Sequence, residues 1–239
     1  MIIRKKILLL SLFYKSQTNS DMNNIQLINK LDFLMNDFTT NKSEIALLVR
    51  DLKIDTNLAN AILYSGPIGH REHRFELFLI LLEECDNLKS DYTLAYNIFR
   101  EAYIMTDNIY YQIQKSNSTF DIANYIIMLH SKINIMSAMQ SHELSFFNSL
   151  NNNITIYRGL SDAEKNSHKL GISWTIDSKR AEKYVFYKKN NVTDSYGWIA
   201  SATITKDEIL TIFGVEGQDY EIIAQPCFQN VQFKHISRK

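Results

Sequence analysis

Three polar residues in the last third of the chain stand in settings that call for a partner. Arg158 lies in Ile156-Tyr157-Arg158-Gly159, an alternating run that ends at a glycine. Ser173 lies in Gly171-Ile172-Ser173-Trp174-Thr175, ahead of a segment with Ala181, Tyr184 and Phe186. Glu221 opens the apolar run Ile222-Ile223-Ala224 and follows Gly214-Val215-Glu216-Gly217-Gln218-Asp219-Tyr220. The separations are 15 residues, from 158 to 173, and 48 residues, from 173 to 221. Each residue type offers different chemistry. A guanidinium is a planar, permanently charged fork that grips a phosphate or carboxylate through two parallel hydrogen bonds, which an ammonium cannot match. A hydroxyl orients a neighbouring group. A carboxylate at the head of a buried strand is a fixed negative charge, and its burial needs a reason. Stabilising a cation that forms during a reaction is such a reason. Each residue also has a plainer reading: Arg158 as a surface arginine closing a hairpin, Ser173 and Thr175 as strand-end residues that cap the next helix, and Glu221 as a rim carboxylate. His168, between the first two segments, reads as a solvated loop histidine with no role.

The elements around these residues follow from periodicity. Ile154 to Tyr157, Trp198 to Ile204, Tyr220 to Ala224 and Gln229 to Ile236 alternate or are rich in strand formers. Residues 154, 156 and 158 share one strand face, so Arg158 follows two isoleucines inward; Glu221, Ile223 and Gln225 share another. Asp177 caps a short helix that carries Ala181, Tyr184 and Val185 inward. Tyr184 and Phe186 are two positions apart on that helix, so at least one of them faces away from any common cleft.

The first 150 residues differ in character. They hold two of the seven glycines, Gly66 and Gly69, and one of the two prolines, Pro67, gathered in a single turn. Helical spacing runs through Ile25, Leu27, Ile28, Leu31, Leu34 and Met35. Further helices are expected through Ile45 to Leu52 with Asn41 or Ser43 as cap, through Leu58 to Leu63 with Asp55 or Thr56 as cap, and through Phe75 to Leu82. Longer ones are expected over Asp91 to Ile113 and Thr119 to Leu150. Ser43 to Gly66 has a helix-turn-helix rhythm. Its second helix, Thr56 to Ser65, carries no Lys or Arg, so it reads as an ordinary hairpin and not as a reader of DNA.

Composition bounds the rest. The 239 residues carry 26 basic and 26 acidic side chains, 45% hydrophobic residues and 22% charged ones, the profile of a globular protein. Balanced charge gives no global attraction for nucleic acid. Two cysteines, Cys85 and Cys227, exclude a disulfide scaffold and a Cys-rich metal site, and each reads as a small buried hydrophobe. No apolar run has the roughly 20 residues of a membrane span. Arg4, Lys5 and Lys6 before the apolar Ile7 to Tyr14 read either as a signal segment or as sequence upstream of a true start at Met22. Cytoplasmic and secreted locations both stay open.

The YRG, SWT and DYEII segments, in this order and at this spacing, resemble the ADP-ribosyltransferases of the Arg-Ser-Glu class. The resemblance covers about Ile154 to Pro226, less than a third of the chain. It implies an α+β chain: a helical region over 1–150, for target recognition, shielding or partner docking, followed by a split β-sandwich core over 151–239. It implies NAD as co-substrate, no metal, and a macromolecular acceptor, most readily protein, in the setting of a toxin, effector or phage-encoded enzyme. Glu221 would be the catalytic carboxylate, with Ser173 orienting it or the ribose and Arg158 holding the phosphate or nicotinamide side. Gly159, Trp174, Thr175, Tyr184 and Phe186 would complete the NAD cleft. Asp219, Gln218 and Tyr220 would position the acceptor. Many members carry Glu or Gln where Asp219 stands here. The shorter side chain removes the basis for expecting arginine as acceptor, and water as acceptor, an NAD glycohydrolase, stays open. So does a binding module without turnover.

Overall fold

The computed structural model describes residues 19–65, 73–106, 120–186, 196–214 and 220–237. The chain divides into two compact units, Met1–Phe120 and Asp121–Lys239. The expected boundary at residue 150 therefore moves to 120/121.

The first unit is helical: α1 (Asn19–Leu34), a 3-10 turn, α2 (Phe38–Val49), α3 (Thr56–Leu63), α4 (Arg74–Glu84), α5 (Asp86–Ser90) and α6 (Tyr92–Ile104). Side-chain oxygens set several starts. Asp55 accepts from Leu58 N at 2.7 Å and Asp91 from Leu94 N at 2.9 Å, each satisfying an otherwise unpaired first-turn donor. At α2 the cap is Asp37, which accepts from Thr40 N, and not Asn41 or Ser43, because the helix starts several residues earlier than its apolar stripe suggests. The Asn87 side chain donates to Ile54 O and accepts from Ile54 N, pinning the α2–α3 connection. The centre is aromatic: Phe75, Phe78, Phe99 and Phe120 meet at centroid distances of 5.5–6.3 Å. The buried Leu58, Ala59, Ile62 and Leu63 make α3 a packing helix, as its lack of basic residues implies. The Gly66-Pro67 turn and the expected extension of α6 to Ile113 lie outside the described residues.

The second unit opens with α7 (Ile122–Lys132), α8 (Ile135–Ala138) and α9 (Ser141–Ser149). The single helix expected over Thr119 to Leu150 is thus three. Extended backbone at Ile133 and Gln140 interrupts it, and Gln140 with Glu143 forms a capping box that starts α9 afresh. These helices belong with the sheets because they bond to them. The His130 ring donates to Leu210 O, Gly214 N donates to the fully buried Glu143, and Lys206 donates to Asn148 O and Leu150 O.

Six strands follow: β1 (Asn153–Leu160), β2 (Ser173–Trp174), β3 (Tyr196–Thr205), β4 (Ile209–Phe213), β5 (Glu221–Ala224) and β6 (Gln232–Ser237), with α10 (Asp162–Asn166) and α11 (Ser178–Phe186) between the first three. They form two antiparallel three-stranded sheets, in the orders β1-β3-β6 and β2-β5-β4. Strand β4 has no counterpart in the periodicity, because Ile209-Leu210-Thr211-Ile212-Phe213 is almost continuously buried and does not alternate. The first sheet is covered by α11, whose Ala181 and Val185 pack on Ile199. A methyl at Gly159 or Gly197 would run into Ala181 O or Val185, so these two glycines let the helix lie close to the strands. Cys85 is buried, and burial pushes its thiol up to about 11. Cys227 is exposed, contrary to expectation, because it precedes a 3-10 turn on the β5–β6 connection and not a strand face.

Candidate active site

The two sheets are joined by main-chain atoms. Tyr157 N donates to Thr175 O at 2.7 Å, and Thr175 N donates to Tyr157 O at 2.9 Å. This bridge ties the end of β1, in one sheet, to the residue after β2, in the other. Strand β2 then pairs with β5, Ser173 opposite Ile223 and Trp174 opposite Ile222. Opposed residues of an antiparallel pair point the same way, and strand side chains alternate. Ser173, Ile223 and Glu221 therefore share a face, with Glu221 diagonal to Ser173. Glu221 itself pairs with Phe213 of β4.

A cavity of about 270 Å³ opens at this junction. From the three nominated segments, Arg158 and Gly159, then Ser173, Trp174 and Thr175, then Tyr220 and Glu221, all line it. Tyr184 lines it from α11 although it is 53% exposed, so it is a rim residue and not the inward one expected. Phe186 turns the other way and packs against the Ala181, Val185 and Ile199 cluster, a correction that follows from two positions of helical rotation. Gln218 and Asp219 lie outside the described residues. His168 is exposed and stacks on Phe228.

Arg158 is firmly held. Its Nε donates to Glu164 Oε1 at 2.7 Å and its Nη1 to Ser173 O at 2.8 Å. Gly171 N donates to the same Glu164 oxygen at 2.8 Å. The guanidinium packs against the Gly171 backbone, where a methyl would clash with it, and its side chain is only 17% exposed. Arg158 thus straps the β2 backbone to β1 while Glu164 balances its charge.

The Glu221 side is also braced. Tyr220 stacks on Phe146 of α9 at 4.2 Å with an interplanar angle of 14°. Glu143, on the same helix, accepts from Gly214 N at 3.1 Å and from Gln140 N at 2.9 Å. One helix therefore holds both ends of the β4–β5 connection, and with them the approach to Glu221. Trp174 is 2% exposed, and its indole N–H finds no acceptor among the described residues, an orphan donor in the cavity wall.

Arg180 is the lining residue that the sequence did not single out. It stands four positions before Tyr184, donates through Nη2 to the Tyr184 hydroxyl at 3.2 Å, and lies 5.6 Å from that ring's centroid. The signal was present: once Tyr184 is assigned to the cleft, position i−4 on the same helix follows it there.

Among the described residues no three His, Cys, Asp or Glu side chains gather as a metal site, and no helix is long and apolar enough to cross a membrane. Comparison of the chain with protein-family models, curated proteins and solved structures gives no match.

Proposed function

We propose that this chain is a mono-ADP-ribosyltransferase that cleaves NAD at the nicotinamide–ribose bond and transfers ADP-ribose to a macromolecular acceptor, protein by preference. The observation that supports this reading is convergence. Three segments chosen for their chemistry, up to 63 residues apart (158 to 221), line one cavity, with a hydroxyl and a carboxylate on one strand face. The cavity volume is close to the low end of small-molecule sites, about 300–1,000 Å³. It suits the reacting end of the dinucleotide, with the remainder lying outward past Tyr184.

The chemistry assigned to each residue follows from the bond broken. The C1′–N bond opens with its electron pair leaving on the nicotinamide nitrogen, and the ribose becomes oxocarbenium-like, as in glycoside cleavage. Glu221 presents a fixed negative charge to that ribose. Ser173, diagonal to it, orients the carboxylate or a ribose hydroxyl. Trp174 walls the nicotinamide end. Arg158 keeps β1 and β2 in register so that Ser173 stays on target. The acceptor's nucleophile then bonds to C1′ and gives up its proton. The β4–β5 connection carrying Gln218, Asp219 and Tyr220 is the acceptor side.

The test is NAD turnover by the purified chain beside Glu221→Gln, following nicotinamide release and labelled ADP-ribose together. Removing one preorganised electrostatic group costs about 10²–10³ in rate, so the variant is expected to lose at least that. Label on protein marks transfer, and free ADP-ribose marks the glycohydrolase alternative. A well-folded wild type that neither binds nor turns over NAD overturns the reading.

A further inference from the structure

We propose that Arg180, and not Arg158, is the residue that grips the anionic diphosphate of the bound dinucleotide; this rests on the transferase reading above. The argument begins with charge. The cavity wall carries two arginines and one carboxylate, Arg158, Arg180 and Glu221. Arg158 is neutralised by Glu164 at 2.7 Å, donates a second bond to the Ser173 carbonyl, and has Gly171 backbone packed on its guanidinium. A phosphate drawn to that fork would have to displace a carboxylate that already bonds both Arg158 Nε and Gly171 N. It would also loosen the strap that holds Ser173.

Arg180 is placed differently. It projects from the first half of α11, a helix whose opposite face is anchored by Ala181 and Val185 against the sheet. Its bond is to a neutral hydroxyl, that of the half-exposed Tyr184, which leaves its charge without local compensation from that contact. A guanidinium at the rim of a cavity whose interior holds Glu221 divides the site electrically. The negative end suits a ribose that becomes cationic, and the positive rim suits a doubly charged diphosphate lying outward. The neighbouring Tyr184 ring offers a flat surface beside that position.

The experiment measures binding of NAD, ADP-ribose and nicotinamide riboside to the full chain and to Arg180→Ala and Arg180→Lys, at low and moderate salt. Arg180→Ala is expected to weaken NAD and ADP-ribose about 10-fold to 100-fold, as for loss of a charge-assisted contact, and to leave nicotinamide riboside within about twofold. Arg180→Lys is expected to fall between, because it keeps the charge and loses the fork. Salt is expected to weaken NAD binding more in the wild type than in Arg180→Ala. In turnover, KM for NAD rises with kcat little changed, opposite to Glu221→Gln. Unchanged ADP-ribose affinity in Arg180→Ala overturns the proposal. So does an equal loss for nicotinamide riboside, which would mean that Arg180 only shapes the cavity. A wild type that binds none of the three ligands overturns the transferase reading itself.

Discussion

Glu164 decides what Arg158 can do. An arginine whose fork meets a carboxylate and a backbone carbonyl is a cross-brace, and removing either side chain strands the other. Both are largely buried, at 17% and 23% exposure, so the pair is worth more than a surface ion pair. Arg158→Ala is expected to destabilise the second unit by about 1–3 kcal/mol, leaving Glu164 and Ser173 O short of a donor. A double-mutant cycle with Glu164→Ala, read by urea unfolding, is expected to return a coupling energy of about 0.5–3 kcal/mol. Additive effects would mean that the two side chains act independently. Arg158 itself was legible in the sequence because an arginine that continues an isoleucine face is conspicuous. Its partner was not: Glu164 is one of many acidic residues in a loop, and only the fold brings it back to the strand.

At the scale of elements, α11 is the piece on which the cavity depends most. One of its faces, Ala181 and Val185, seats it on the first sheet; the other, Arg180 and Tyr184, lines the cavity. The seating requires Gly159 and Gly197. Gly159→Ala is expected to push the helix off the sheet, at a cost of about 1–3 kcal/mol, and to weaken NAD binding with it, measured by thermal unfolding and titration of the same sample. Unaltered binding at lowered stability would separate the helix from the site. Most of these elements could be read in advance. Period-two runs marked β1, β3, β5 and β6, and Asp55, Asp91 and Asp177 are acidic residues at helix starts that cap as expected. What escaped were features that tertiary partners decide. Strand β4 lacks alternation because it is buried nearly throughout. The helices α7 to α9 read as one because apolar spacing continues through their breaks. Their allegiance to the sheets rests on Glu143 and His130, polar residues whose partners lie 71 and 80 positions away.

For the whole molecule, each unit has a core of its own. The first is built on four phenylalanines and the second on two small sheets with their helices. Damage to one core need not reach the other. Phe78→Ala, at a fully buried ring, is expected to destabilise the first unit by about 3–5 kcal/mol and to leave NAD affinity as in the wild type, read by calorimetry beside ligand titration. Loss of affinity in step with the first unit would show that the helical region contributes to the site.

The Tyr157–Thr175 joint has one more consequence. Its two hydrogen bonds run between peptide groups, and peptide groups are the same whatever side chain is attached. Most substitutions at these two positions leave the joint intact, proline excepted, since it lacks the donor. The frame around the cavity is thus insulated from changes in its lining. Lining residues such as Ser173, Tyr184 or Tyr220 are free to drift over generations toward a different ligand or acceptor while the opening they surround keeps its shape.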